Sequence, residues 1–496
     1  MNYASKYYLD SYANGNNDGT SWINAWQSFN DVSFGSSGNQ VGPGDTLLIS
    51  GGSTSKIYNI SSPISPISGT PGNELVIMVG QNPEHNGLVI IDGGDSTSPL
   101  FDFNANDYII LDGEVNGNRR LRFQNWGGSG IGNDCDCISA RGYLNDNLTI
   151  RYIDVINDDI THPSGDDSNI EIKYGIYMNY CSGVRIQHCY IDGCIRNSIV
   201  LNHNRNPSSW HENIIEYCII KGYRRTDGLG GPDGIKGGGF TARYNTIYHQ
   251  ELVNAVYNRG HVAEDGIQML DKYCAVYGNV IHDISQSEIR TDLPLSGTNH
   301  IYIFNNILYS THADEGIAQR AIELDGEEYS DVKIFNNIIV DVGWGIRVLK
   351  RSGETVDIEV KNNIFYNSAF SGSQEGGDIS EVDIDYNLLL KNYNTAANFM
   401  GIFSGYIQSN DPFDSEKTFS FKSYSYLNSE NDFHHGQNSN MSIDTGTNLS
   451  RLFSELGIKV EDIDRNVRTN LWDLGAYESV NGINMPDTPI NLRILR

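Results

Sequence analysis

Two short segments hold the residues whose types and spacing most readily do chemistry. They are Pro232-Asp233-Gly234-Ile235-Lys236 and Ala263-Glu264-Asp265-Gly266-Ile267-Gln268. If the two Gly-Ile phrases align, Asp233 and Asp265 fall about one strand spacing (~4.8 Å) apart, with Glu264 beside them. Three carboxylates that close repel one another unless a cation sits between them, and an oxygen-rich cluster suits Ca²⁺. The same residues also read as a solvated acidic corner neutralised by Arg259 or Lys236. Both readings stay open from the sequence.

Basic side chains gather in the same region. Up to Asn118 the only lysines or arginines are Lys6 and Lys56, whereas Arg224, Arg225, Lys236, Arg259, Arg290 and Arg320 follow from Lys221 onward, with His261 among them. Acids are interleaved, including Glu288, Asp292 and Glu315. Tyr257, Gln268, Glu323 and Arg347 complete the groups expected to bind a ligand. Loops and outward strand positions of a rigid scaffold usually carry function, which puts a groove along roughly residues 222–350.

The elements that position these residues repeat. An aromatic or aliphatic residue, one or two asparagines and an aliphatic pair recur as Tyr244-Asn245-Thr246-Ile247, Gly278-Asn279-Val280-Ile281, Phe304-Asn305-Asn306-Ile307, Phe335-Asn336-Asn337-Ile338, Lys361-Asn362-Asn363-Ile364 and Tyr386-Asn387-Leu388. A Gly-Ile phrase or its equivalent follows most copies, as at Gly175-Ile176, Gly266-Ile267, Ala321-Ile322 and Gly345-Ile346. Each phrase is too short for a helix, and too rich in Ile, Val, Tyr and Phe for a loop. Alternation sends Ile235 and Ile267 inward and Lys236 and Gln268 outward. A repeat of roughly 20–35 residues that cannot bury its inner face alone must stack, which predicts an all-β solenoid, a right-handed parallel β-helix. A propeller is the weaker alternative. Asparagines at one corner of successive coils can bond to one another, and Asn tolerates the left-handed turn conformation.

The 496 residues carry a formal net charge of −28, which argues against a nucleic-acid partner. It also argues mildly against a polyanionic sugar unless a cation or a basic patch intervenes. No apolar run is long enough to span a bilayer. The seven cysteines lack paired Cys-x-x-Cys spacing and read as buried thiols acting as small hydrophobes. Residues 1–98 are expected to form an N-terminal cap and the first coils, with a short amphipathic helix around Trp22 and Trp26 as the plug. Residues 99–480 form the β-helix and its closing segment, and 481–496 a linker to a further module. Met1 before Asn2-Tyr3-Ala4 looks like a restart that would hide an export signal, so a secreted or cell-surface monomer is expected.

The order of Gly42-Pro43-Gly44-Asp45-Thr46-Leu47, Ser68-Gly69-Thr70-Pro71-Gly72-Asn73 and Leu474-Gly475-Ala476-Tyr477-Glu478 resembles secreted, pectate-lyase-like β-helix proteins of bacteria. Those relatives usually carry Gly after the Asp that stands here as Asp464, where this chain has Arg465. The two acidic segments resemble polysaccharide lyase family nine, in which an Asp-Gly-Phe strand is followed one coil later by Asp-Asp-Gly-Trp-Asp. The resemblance implies that Asp233, Glu264 and Asp265 bind calcium beside a catalytic lysine. Gln268 stands where that family has a final Asp. No lysine takes the family's place: Lys236 is on the wrong coil, and Arg290 or Arg320 holds the region. The implied chemistry is β-elimination from a uronic acid, in which calcium or an arginine neutralises the carboxylate while a base removes the C5 proton. Lys236 is the first candidate base, followed by Arg259, Arg290, His261 and Arg320. An inverting glycoside hydrolase is the alternative, with two carboxyl groups about 6.5–9.5 Å apart drawn from Asp233, Glu264, Asp265, Glu315 and Glu323. A non-catalytic carbohydrate-binding adhesin is the third.

Overall fold

The computed structural model describes residues 5–127, 134–141, 145–157, 172–194, 196–202, 212–222, 233–249, 265–293, 300–311, 319–326, 329–351, 356–366, 368–375, 382–390, 421–423, 432–435, 446–455, 457–468 and 472–478. The chain forms two compact units, the first made mostly of residues up to 264 and the second of residues from 265 on. Within each, the chain visits three parallel sheets in turn and then starts again. This is the expected right-handed parallel β-helix. The antiparallel blades of a propeller are excluded by strand pairings that run parallel throughout the coils.

In the second unit the third sheet runs through Asp265–Met269, Ser287–Leu293, Arg320–Gly326, Trp344–Arg351 and Ala369–Glu375. Register puts Ile267, Ile289, Ile322 and Ile346 on top of one another, all fully buried. Each such isoleucine contributes roughly 1.5–3 kcal/mol of burial. The glycine before the isoleucine has a steric reason: a Cβ on Gly266 would lie 2.5 Å from the Glu288 carbonyl oxygen of the next coil. Gly175 meets the Ser198 carbonyl at the same distance.

The asparagine corner is a continuous ladder. Nδ2 of Asn279, Asn306, Asn337 and Asn363 donates to Oδ1 of Asn306, Asn337, Asn363 and Asn387 in turn, at 2.9–3.0 Å. Their backbone N–H groups donate to the same oxygens. The left-handed conformation falls instead on the preceding residue, Asn305, Asn336, Asn362 or Tyr386. The paired asparagines therefore divide two tasks between them, one turning the chain and the other tying coils together. All seven cysteines are buried, as expected of thiols acting as small hydrophobes.

Both ends depart from expectation. The segment around Trp22 and Trp26 is not a helix but a chain of turns. Its backbone groups are used by the first strand: Trp26 N–H donates to Tyr8 O (2.9 Å), and Asp10 N–H donates to Trp26 O (2.8 Å). Trp26, stacked on Tyr7, covers that strand's edge, so the capping role survives without the helix. At the other end, the closing segment at residues 474–478 is not a strand. Leu474, Ala476 and Tyr477, with Ile463 and Phe433, pack on Ile307, Tyr309, Ile338, Val340, Ile364 and Leu388 of the second sheet. This lateral strap is fastened by Arg468, which is buried, pairs with Glu478 at 3.0 Å and donates to Gly475 O and Asn305 Oδ1.

Candidate functional site

Among the described residues, the strap occupies one outer face of the second unit. It covers the second sheet. On the first sheet, Lys333 pairs with Glu359 (3.3 Å) and Lys361 with Asp383 (2.6 Å) across adjacent strands, and Lys361 also pairs with Glu359 (2.8 Å) along its own strand. The third sheet carries a different arrangement, in which guanidinium groups stand over Asp265 and Glu323.

Register places Gln268, Arg290, Glu323 and Arg347 in one outward row and Asp265, Ser287, Arg320 and Trp344 in a second. Glu323 is the hub, its side chain only 3 % exposed. Its Oε2 accepts from Ser287 Oγ (2.8 Å) and Arg320 Nη1 (2.9 Å), and its Oε1 from Arg347 Nη1 (2.9 Å). Arg347 also lies over the Trp344 ring. Arg290 sits 3.8 Å from Asp265, whose side chain is 1 % exposed, and donates to Asp325 at 2.8 Å. The guanidinium side chains are 17 % (Arg290), 18 % (Arg320) and 21 % (Arg347) exposed. Asp325, at 30 %, is more exposed than any of them, so guanidinium and carboxylate groups both reach solvent on this face.

The arginines are held differently. Burial works against charge on Arg290, yet Asp265, Glu323, Asp325 and Asp292 outweigh it and raise its pKa. For Arg320, burial and repulsion from Arg347 and Arg290 outweigh Glu323 and lower the pKa. Of these two arginines, only Arg320 is shifted toward its neutral form.

The site residues expected from the sequence divide three ways. Arg290, Arg320, Glu323, Arg347 and Asp265 come together, and Gln268 takes its place in their row. In the first unit, Asp233 is buried and accepts from Lys236 Nζ at 3.1 Å, while its N–H donates to Asn197 Oδ1. Arg224, Arg225, Tyr257, Arg259, His261 and Glu264 lie outside the described residues. Among the described residues no group of three His, Cys, Asp or Glu side chains is placed to hold a metal ion. Asp233 and Asp265 each face a cation of this chain, so they do not fit calcium as they stand.

Glu288 is a correction. The sequence places it among exposed loop acids, but it occupies the inward position of Gly266 and Ala321 and is buried. Burial, with Asp283 adding to it, pushes its carboxyl well above the usual range. Asp325 and Ser287 are the functional neighbours that sequence reasoning missed. Asp325 could have been found by period two, since it follows Glu323 by two residues on one strand and shares its face.

Residues 174–365 match the family model described as a right handed beta helix region. No curated protein matches the chain. Among solved structures, the chain is similar to pectate lyase Pel9A at 12 % identity, covering 96 % of this chain and 97 % of that one with a TM-score of 0.46. It is similar to a mannuronic acid specific polysaccharide family 6 lyase from human gut microbiota at 16 % identity, covering 73 % and 79 %, with a TM-score of 0.46. It is also similar to XylC in complex with xylose at 10 % identity, covering 96 % and 98 %, with a TM-score of 0.48. None of these gives a role to a residue of this chain. Among the described residues no helix is long and apolar enough to cross a membrane.

Proposed function

We propose that this protein is a secreted bacterial polysaccharide lyase that cleaves a uronic-acid-containing polysaccharide by β-elimination on the outer face of the third sheet. The observation that carries the reading is the layering of Arg290, Arg320 and Arg347 above buried Asp265 and Glu323. Guanidinium groups recognise planar carboxylates through paired N–H donors, and buried anchors hold them ready without reorganisation. This bears on the charge tension, because three guanidinium groups stand over two buried carboxylates on an otherwise acidic protein.

In the reaction the uronate carboxylate lies against Arg290 and Arg347. Their charge stabilises the electron density that moves onto the carboxylate when C5 loses its proton. The C4–O bond then breaks, leaving a 4,5-double bond, and the departing oxygen takes up a proton. A base must take the C5 proton, and Arg320 can do so only in its neutral form, which burial and the neighbouring Arg347 and Arg290 favour.

A glycoside hydrolase is the second reading, and the geometry works against it. A general acid must reach the leaving oxygen, but Asp265 and Glu323 are enclosed beneath guanidinium groups of this chain. Glu288, whose carboxyl favours its proton, is buried in the interior.

The test is ultraviolet absorbance of unsaturated product on a panel including pectin, alginate and sulfated galactan, with and without a chelator. Absorbance that survives chelation supports the arginine reading. Loss of activity restored by Ca²⁺ returns the metal to the mechanism. Reducing ends without absorbance would establish a hydrolase, and binding without either would establish an adhesin.

A further inference from the structure

Three acids touch the arginine row, and they are not alike. Asp265 and Glu323 are almost fully enclosed, at 1 % and 3 % side-chain exposure. Releasing either would leave a charge buried without its partner, which the fold resists. Asp325 is 30 % exposed and holds Arg290 from the solvent side at 2.8 Å. Its only companion in register on the preceding strand is another acid, the exposed Asp292. Like charges opposite one another destabilise a pair of strands, so moving the Asp325 carboxylate into water relieves a repulsion. Arg290 would keep Asp265 beneath it. The backbone at Asp325 stays tied, because its N–H donates to Thr291 Oγ1 at 3.2 Å.

We propose that the Asp325 carboxylate is an internal stand-in for the substrate's carboxylate, occupying Arg290 in the free protein and swinging into solvent when a uronate takes its place. The proposal rests on reading this face as an anion-binding groove. Asp325 then sets selectivity. A ligand must supply an anionic group at Arg290 to displace it, so neutral glycans gain nothing from the exchange. A polyuronate gains most, because its carboxylates repeat along the chain and one can meet Arg290 in any register. The residue tunes affinity and is not needed for the chemistry.

The experiment compares the intact chain with Asp325→Asn and Asp325→Ala, using affinity electrophoresis in polygalacturonate, in alginate and in a neutral galactan. Removing a competing, partly exposed carboxylate should tighten polyuronate binding about two- to fivefold in both variants. Migration in the neutral galactan should not change, nor should the melting curve. Polyuronate binding that is equal or weaker in folded variants overturns the stand-in role while leaving the groove. Equal tightening for the neutral galactan also overturns it, since the effect would then be steric. No polyuronate binding by any form overturns the groove itself, and the stand-in with it.

Discussion

Replacing Glu323 with glutamine tests the hub of the site with almost no change of shape. The wild-type carboxylate accepts from Ser287, Arg320 and Arg347 at 2.8–2.9 Å. Each charge-assisted bond is worth about 1.5–3 kcal/mol. Arg320 and Arg347 are 18 % and 21 % exposed and recover some hydration on release, which keeps the net loss toward the low end. The amide retains one acceptor oxygen, but its NH₂ group faces a guanidinium as donor against donor. We expect a loss of about 2–4 kcal/mol, read as a lower midpoint in urea at unchanged slope. The catalytic effect should exceed the structural one. With the hub neutral, Arg320 and Arg347 repel each other without a shared anchor, and kcat/KM should fall roughly 10- to 100-fold, on the order of 1.4–2.8 kcal/mol of transition-state stabilisation. The assay is initial absorbance of unsaturated product, run well below the unfolding transition. Unchanged stability together with an unchanged rate would refute the idea that Glu323 organises the row.

Asn337→Ala should cost about 2–4 kcal/mol in thermal or chemical unfolding, because Asn306 loses the acceptor of two bonds and the Ile303 carbonyl loses a donor; a loss under about 0.5 kcal/mol would mean the ladder only decorates the corner. Glu288→Gln should stabilise the protein at neutral pH. Its folded pKa is raised by burial and then by Asp283, so the wild type binds more protons folded than unfolded. That contribution is fully present below the unfolded value of 4.5 and is lost as pH rises through the folded pKa. Wild type and variant should therefore converge near pH 4 and separate above it; parallel stability curves from pH 4 to 8 would contradict the assignment.

The repeat was legible because stacking is a local rule applied many times. Ile267, Ile289, Ile322 and Ile346 align because each must be buried, and the asparagines recur because each corner has the same donors to satisfy. The outward row of Gln268, Arg290, Glu323 and Arg347 follows from the same period-two alternation once register is known. Three things did not follow. Trp22 and Trp26 carry a helix-like pattern, but their backbone is taken by an edge strand. Glu288 reads as one more loop acid, since nothing in its neighbours says that its position turns inward. The ordering of acids beneath arginines depends on side-chain depth, which composition does not encode.

Winding in stacked strands, and the outward direction of Gln268, Arg290, Glu323 and Arg347, could be read from alternation along each strand. Which outer face the strap covers and which carboxylates are anchored could not. Those depend on a distant strap and on how deeply each charge is buried, quantities that belong to the packed molecule.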